Sequence, residues 1–233
     1  MTVFQYHAAI IEQFPEIVGG VIVAQRMRNG PSPEKLQAAF LAEQQAVLAR
    51  IGATPLSELP SLAAWRRAFT RFGVKPTQYR SAAEALLRRL TKKGDIPTIN
   101  TLVDIGNLVS IRYGLPVAVF DRRAAQGVVT VHFADGSETF TELDSAETVH
   151  PEPGEVIFSD ERKSVIARRW CWRQSAESAA RDDTTDAVIT FEAQHEGGYQ
   201  AVEQAGDDLL ALLREYAGGE YELAILSASR PAV

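Results

Sequence analysis

The most continuous run of apolar positions in the chain lies within residues 95–121. Its apolar side chains cover most of a helical circumference, so this helix is expected to be buried. They are Leu102, Val103, Ile105, Leu108, Val109 and Ile111. Asn100, Asp104 and Asn107 nevertheless share one stripe, because they are three and four residues apart. An unpaired buried polar group costs about 1–3 kcal/mol, so the stripe should either bond other protein groups or line a cavity for a polar ligand.

Helical spacing also predicts three helices between a strand at residues 18–24 and this stretch. Ser32 is expected to cap the first helix. The second covers residues 56–72, and we interpret its Trp65 as a core residue, because aromatic stripes at helical spacing usually face inward. Ser81 is expected to cap the third. The three helices are predicted to end at Gly52, Gly73 and Gly94.

The second half of the chain changes to alternating patterns, which predict strands separated by turns. The predicted strands cover residues 116–120, 128–133, 138–140, 156–159, 165–170, 187–192 and 221–227, with one more helix at 206–216. This order indicates an α+β fold, in which N-terminal helices and the central buried helix pack on a largely antiparallel sheet. No repeat or linker interrupts the pattern, so we expect one compact domain over residues 1–233.

Composition narrows the class of protein. Of the 233 residues, 45% are hydrophobic and 23% are charged, which is typical of a soluble globular protein. The chain lacks the run of roughly 18 apolar residues that spans a bilayer, and residues 1–28 lack a secretory pattern. We therefore expect a cytoplasmic protein that does not bind a membrane.

The chain carries few of the groups that hold metals or cofactors. Its single cysteine, Cys171, excludes an internal disulfide, and the four histidines show no metal-ligand spacing. Cys171 is expected to pack rather than react, because no histidine lies near it in sequence. Phosphate-loop, dinucleotide and nucleophile-elbow motifs are missing from the sequence. We therefore expect neither a metal nor a cofactor.

Charge is distributed unevenly along the chain. The formal net charge of −6 argues against binding to duplex DNA, which usually requires a basic footprint. Residues 65–93, however, carry many basic side chains against one acid, Glu84, so one face is expected to be basic. This face is a candidate RNA-binding surface. Its candidate tRNA-binding residues are Arg66, Arg67, Arg71 and Arg80.

A second dense cluster is ARRWCWRQS at residues 167–175. If this segment is extended, Arg169 and Arg173 face one way while Trp170 and Trp172 face the other. Arginines interleaved with tryptophans can stack on nucleic-acid bases or grip carboxylate and phosphate groups. The pattern equally fits an exposed basic edge strand whose tryptophans cover a sheet face. Both interpretations stay open on the sequence alone.

Residues 96–121 resemble a segment of the phenylalanyl-tRNA synthetase beta subunit. IPTINTLVDIGNLVSIRYGLPVAVFD matches a family pattern that reads RPINN, VVDVTNYVM and GQPLHAFD, without gaps from Asn100 onward. RDDTTDAV, at residues 181–188, echoes a Thr-Glu-Asp-Thr run of the same family. The resemblance covers roughly residues 80–193, the B-three/four editing domain, a compact α+β module. PTQYRS and WxWRQ are similar to features of its stand-alone members, which makes residues 1–75 and 194–233 extensions.

The resemblance implies a reaction and a set of site residues. In the synthetase this domain hydrolyses the ester that joins a wrong amino acid, tyrosine, to its tRNA. An aminoacyl ester is already activated, so orientation of the ester and a water, with hydrogen bonds to the oxyanion, suffices without a metal. The expected catalytic residues are Asn100, Asp104 and Gln174. The expected substrate-binding residues are Asn107, Ala118, Arg169, Trp170, Trp172 and Arg173.

Departures from the family pattern change the expected substrate. Ala118 stands where the family has a histidine, and Gln174 or Ser175 stands near the glutamate that reads the tyrosine hydroxyl. Trp172 and Arg173 fall near paired glycines that keep the family pocket open. The resemblance therefore implies a smaller or differently charged aminoacyl group than tyrosine.

Two kinds of function follow from the residues and the resemblance. The first is a free-standing aminoacyl-tRNA editing protein that hydrolyses a mischarged ester in trans. The alternative is a non-catalytic module that keeps the pocket and binds an amino acid or tRNA. The expected partners are accordingly aminoacyl-tRNA or a free amino acid, while the sequence predicts no oligomeric state.

Overall fold

The computed structural model describes residues 2–143 and 147–233 and contains, within them, six α-helices and three β-sheets. The helices are α1 (Ala8–Gln13), α2 (Glu34–Ile51), α3 (Pro60–Arg71), α4 (Ala82–Lys93), α5 (Thr101–Tyr113) and α6 (Gly198–Tyr216). The strands are β1 (Phe4–Tyr6), β2 (Val18–Gln25), β3 (Val117–Asp121), β4 (Val129–Phe133), β5 (Phe140–Thr141), β6 (Thr148–Val149), β7 (Val156–Ser159), β8 (Val165–Arg168), β9 (Arg173–Gln174), β10 (Ala187–Ala193) and β11 (Glu220–Leu226). The predicted α+β class is confirmed. Within the described residues, no helix combines the length and apolarity needed to cross a membrane.

The predicted sheet is in fact divided. One antiparallel sheet has the strand order β11-β2-β10-β3, and a second has the order β1-β4-β7-β8-β9, in which only β1 runs parallel to its neighbour. β5 and β6 form a separate pair. The division arises because β10 pairs with β2 and β3, both distant in sequence, rather than with the strands just before it. Local alternation carries no information about such long-range pairing.

Helix α5 lies at the centre of the larger core, as its apolar circumference predicts. Leu102, Ile105 and Val109 are fully buried, and the helix packs against α2, α6 and β3. Asn100 caps its first turn, because its side-chain oxygen accepts a hydrogen bond from the Val103 N–H at 3.1 Å. The helix ends at Gly114, which caps it in the left-handed conformation.

The two predicted serine caps have different outcomes. Ser81 caps α4 by accepting a hydrogen bond from the Glu84 N–H at 3.3 Å. The prediction for Ser32 is wrong, since α2 is preceded by Pro33 and has no side-chain cap. Ser32 is buried and instead donates its hydroxyl to Asp104 Oδ2 at 2.5 Å. Ser32 therefore makes a tertiary contact with α5 instead of the local cap of α2 that the sequence pattern predicts.

A second core, rich in aromatic side chains, lies between α1, α3 and the five-stranded sheet. The expectation that Trp65 packs in the core is confirmed, since it is 1% exposed and its ring meets Trp170 edge-on at 5.3 Å. Phe14, from the unpredicted helix α1, packs edge-on against Trp170 at 4.9 Å. Neighbouring residues of β10 belong to different cores, since Val188 lies in the aromatic core and Ile189 and Phe191 lie in the larger one.

Candidate functional site

A small cavity of about 70 Å³ opens where the two large sheets meet, beside the first residue of α4. This volume accommodates about five water molecules or a ligand of similar size. Five of the residues expected from the sequence to form the site line this cavity. They are Ala118, Trp170, Trp172, Arg173 and Gln174. The wall is completed by β10, which contributes Thr190 and Glu192.

The segment that contributes most of the wall is a turn and not an extended strand. Strand β8 ends at Arg168, and Arg169 and Trp170 have φ angles of 44° and 62°. The predicted strand to Trp170 is therefore too long, and the predicted alternation of arginines and tryptophans is wrong. Two successive left-handed residues that are not glycine cost about 1–3 kcal/mol each, so their surroundings must hold them in place.

Three contacts hold this turn. The Arg169 N–H donates to Glu155 Oε1 at 3.0 Å, and the Cys171 carbonyl accepts from the Ala82 N–H at 2.7 Å. The Trp170 ring is fully buried in the aromatic core, and its Nε1–H donates to Glu192 Oε1 at 3.0 Å. The turn is thus fixed from the α4 side, from the sheet side and from the cavity floor.

Glu192 is a buried carboxylate at the floor of the cavity. Its Oε1 accepts hydrogen bonds from the Tyr6 hydroxyl at 2.6 Å and from Trp170 Nε1. Within residues 2–143 and 147–233, no donor reaches its second oxygen, Oε2, which leaves that oxygen for a ligand. Burial raises the pKa of Glu192 from its ordinary 4.5 to about 7, although the two hydrogen bonds oppose the shift. The carboxyl therefore exchanges its proton near neutral pH.

The hydroxyl that binds Glu192 depends on a glycine in the neighbouring strand. Gly19 of β2 pairs with Glu192 across the sheet, and a Cβ at Gly19 would collide with the Tyr6 hydroxyl. Only glycine leaves room for the Tyr6 ring at this position. One local sign of Glu192 is that Thr190 and Glu192 share one face of a strongly apolar strand. Nothing local in the sequence indicated Tyr6.

The carboxyl of Glu192 makes stability depend on pH. A carboxyl whose pKa is raised by folding favours the native state when protonated, so stability falls as pH rises from 4.5 through about 7. The expected loss is about 3 kcal/mol of the free energy of unfolding. The side chains of Tyr6 and Cys171, which face Glu192, stay protonated here, because burial raises the pKa of each well above its ordinary value. Urea titrations between pH 4.5 and 8 measure the loss.

The matched variant for this prediction is Glu192→Gln, which keeps the shape and removes the titration. As pH rises, the variant should become more stable relative to the wild type, because only the wild type loses stability when Glu192 ionises. A difference that stays constant across the range would show that Glu192 ionises normally in the native state.

Gln174 is oriented by its amide nitrogen. Nε2 donates to the carbonyls of Val119 and Ser178, both at 2.9 Å, which uses both of its hydrogens. No donor among the described residues reaches its Oε1, so this oxygen is free to accept a hydrogen bond in the cavity. Ala118 lies on β3 opposite Thr190, and its small side chain leaves the space that a larger residue would fill.

Two of the three residues expected to be catalytic do not line this cavity. Asp104 is fully buried and accepts hydrogen bonds from Ser32 and from the Ile99 N–H at 2.8 Å. Burial raises its pKa, and both bonds act in the opposite direction. Asn100 caps α5 and donates its amide to the Ala180 carbonyl at 3.1 Å. Of the two readings of the polar stripe, the geometry of these two residues matches satisfaction by protein groups.

The remaining expected substrate-binding residues lie outside the cavity. Asn107 is half-buried on α5. Arg169 is half-buried behind the cavity mouth, where its guanidinium carbon lies 3.9 Å from the Tyr79 ring centre and 4.5 Å from that of Trp172. It also lies 3.8 Å from Glu155.

The four candidate tRNA-binding arginines do not share one surface pattern. Arg66 and Arg80 both pair with Glu84, at 2.7 and 3.6 Å, in a groove that Arg88 and Lys92 also line. The other two arginines lie elsewhere on α3. Arg71 pairs with Glu16 at 2.5 Å, and Arg67 is exposed. Of the groove residues, Arg66 belongs to α3 and Arg80 precedes α4, while Arg88 and Lys92 lie on α4, the helix that begins at the cavity with Ala82.

Comparisons with known proteins give a consistent set of similarities. The family model described as "B3/4 domain" matches residues 64–218, which include most of α3 and all of α6 as well as the 80–193 core. The beta subunit of phenylalanine–tRNA ligase from Shewanella oneidensis is 28% identical over 116 residues, covering 50% of this chain and 14% of that subunit. The corresponding subunit from Lactobacillus johnsonii is 33% identical over 103 residues, covering 44% and 12%. The chain thus matches a minor part of the length of these relatives.

One solved structure is also similar. It is an N-terminal fragment of the phenylalanyl-tRNA synthetase beta subunit from Pyrococcus horikoshii, with a TM-score of 0.47 and 12% sequence identity. The superposition covers 94% of this chain and 50% of that one.

Proposed function

This chain belongs to the B3/4 domain family, and from that premise we propose that it hydrolyses the ester of a mischarged aminoacyl-tRNA in trans. One observation carries the proposal. A carboxylate with a free oxygen, Glu192, lies in the same small cavity as Arg173 and Gln174. Such a cavity can hold an aminoacyl group, a water and the groups that act on both.

The proposed chemistry starts at Glu192. Its Oε2 removes a proton from a water, and the water oxygen attacks the carbonyl carbon of the ester. The carbon–oxygen bond to the ribose then breaks, the proton passes to the leaving ribose oxygen, and the free amino acid departs. A general base is most effective when its pKa lies near the working pH, and the pKa of Glu192 is about 7.

Two further residues act on the ester in this proposal. The Arg173 guanidinium supplies positive charge at the mouth, where the carbonyl oxygen becomes negative during attack. Gln174 Oε1 accepts a hydrogen bond from the substrate ammonium or from the water. In this proposal Asn100 and Asp104 act indirectly, by holding the start of α5 and the 178–180 segment behind Gln174.

The size of the cavity favours a small aminoacyl group. The cavity of about 70 Å³ is bounded by Trp170 and Trp172 on one side and by β10 on the other. A bulky aromatic side chain needs more room than this, whereas a side chain of a few heavy atoms does not. The open carboxylate oxygen also favours a group that donates a hydrogen bond.

The tRNA body is proposed to lie along α4. The groove lined by Arg66, Arg80, Arg88 and Lys92 follows the helix that starts at the cavity. At 1.5 Å per residue, about 15 Å of helix separates Ala82 from Lys92, which is within reach of the phosphates next to an aminoacylated end. Phosphate contacts position nucleic acids without reading sequence, so this groove suits a tRNA in general.

Deacylation of charged tRNAs tests the proposal. The purified chain is incubated with tRNAs charged with each standard amino acid, and the aminoacylated fraction is followed in time. We expect at least one small aminoacyl ester to disappear faster than in buffer. If none does, the hydrolase proposal fails. Thermal stabilisation by one free amino acid in that event would identify a non-catalytic binding module that keeps the pocket.

A further inference from the structure

Four side chains, which we call the column, cluster at the mouth of the cavity: Tyr79, Arg169, Trp172 and Arg173. The Arg169 guanidinium carbon lies 3.9 Å from the Tyr79 ring centre and 4.5 Å from that of Trp172, and the two rings meet edge-on at 4.9 Å. The guanidinium of Arg173 lies over the Trp172 ring at 4.7 Å. Both guanidinium groups therefore contact the Trp172 ring, and Arg169 also contacts Tyr79. Trp172 and Arg173 also line the cavity, so the column ends at the entrance.

The inner end of this column is fixed. Arg169 is half-buried, its N–H is bound to Glu155, and it sits in the left-handed turn that Trp170 anchors in the core. Tyr79 meets Trp172 edge-on at 4.9 Å and limits the tilt of the indole. The Trp172 ring is thereby presented in one orientation.

The outer end, Arg173, is open to solvent. Arg173 is exposed, and its partner Glu142 pairs with it at 3.0 Å on the surface, where both side chains are substantially open to solvent. Such surface pairs contribute about 0–1 kcal/mol, so the Arg173 side chain can move away from the ring at little cost. Trp172 is thus the fixed part of the column, and the Arg173 side chain is the part that can move aside.

This arrangement matches the chemistry of a nucleobase. Every base has a flat π face that stacks on tryptophan, and arginine stacks on the other side of a base through its planar guanidinium. The position also fits, because the base next to an aminoacyl ester must lie just outside the cavity that holds the aminoacyl group. Trp172 is only half-buried against the aromatic core, so part of its ring is open to a ligand.

We propose that the column binds the terminal nucleobase of the RNA, stacked on Trp172 and covered by Arg173. The inference rests on the proposed function for the identity of the RNA, since the ester enters the adjacent cavity. In this arrangement the cavity binds the aminoacyl group, and the column binds the base.

The test is binding of the trinucleotide cytidyl-cytidyl-adenosine, followed by quenching of tryptophan fluorescence. We expect saturable quenching, and we expect Trp172→Ala to weaken binding about tenfold. Trp172→Phe should retain most of the affinity, because its ring still stacks, and Arg173→Ala should weaken binding several-fold. Tyr199→Ala is the matched control, since it removes an exposed aromatic on α6, far along the chain from the column. The fold of each variant is checked by circular dichroism.

Three results overturn the inference. They are no binding of the trinucleotide by the wild type, equal binding by Trp172→Ala, and equal competition by a ribose phosphate that lacks the base. Because Trp172→Ala lacks the tryptophan that reports binding, its affinity is measured by competition with a labelled trinucleotide. Trinucleotide binding that depends on Trp172, without any deacylation, would support base binding by the column and contradict the proposed hydrolysis. Deacylation that is unchanged by Trp172→Ala would support hydrolysis and contradict base binding by the column.

Discussion

Replacement of Glu192 by glutamine is expected to lower the rate of ester hydrolysis by about a hundredfold or more at pH 7.5, which is the usual contribution of a general base. The amide cannot remove a proton from water, yet it keeps the shape and still accepts from Tyr6 and Trp170 at its oxygen. The wild-type rate should also rise with pH through about 7, where the carboxyl ionises. Single-turnover deacylation of the preferred aminoacyl-tRNA measures both effects.

Glu203→Gln provides the matched control, because Glu203 is an exposed glutamate on α6. It should hydrolyse the ester at the wild-type rate. If Glu192→Gln is as active as this control, Glu192 is not the base, and hydrolysis depends on Gln174 and Arg173 alone.

Trp170→Ala is expected to cause the largest loss of stability, about 3–5 kcal/mol of the free energy of unfolding. The indole is fully buried against Phe14 and Trp65, and it donates to Glu192, so the substitution leaves both a void and a carboxylate with one donor fewer. It also removes the anchor of a turn that contains two left-handed residues. Urea unfolding at pH 5, where Glu192 is protonated, isolates the packing contribution.

Trp172→Ala serves as the comparison, because Trp172 lies two residues away in the same turn but is only half-buried. Its expected loss is about 1 kcal/mol or less. Equal losses for the two variants would mean that Trp172, too, is a structural anchor, which would remove the reason to assign it a ligand.

Periodicity predicted what depends on neighbouring residues. The burial of α5, the core position of Trp65 and the cap at Ser81 each follow from spacing within one element. The same reasoning failed where a distant group intervened. Ser32 bonds Asp104 across 72 positions of the sequence instead of capping α2, and β10 inserts between β2 and β3.

The candidate site was predictable only where local sequence carries the signal. Ala118, Trp172, Arg173 and Gln174 were indicated by the cluster of residue types and by the resemblance, and they share the cavity. The turn at Arg169 was missed, because its left-handed backbone is imposed by Glu155 and by the buried Trp170 rather than by a glycine. Glu192 was missed because its environment is set by Tyr6, which lies 186 positions away.

The pairing of Tyr6 and Gly19 with Glu192 has a consequence for where this domain can be cut. The region matched by the family model starts at residue 64, after both Tyr6 and Gly19. A protein trimmed to that region would lose β2, the inner strand beside β10, and β11 at its edge, so half of the four-stranded sheet would be missing. The Glu192 carboxyl would then lose the hydrogen bond from the Tyr6 hydroxyl. The folded unit around Glu192 therefore extends beyond the family boundary, because the N-terminal segment supplies its tyrosine and the neighbouring strand.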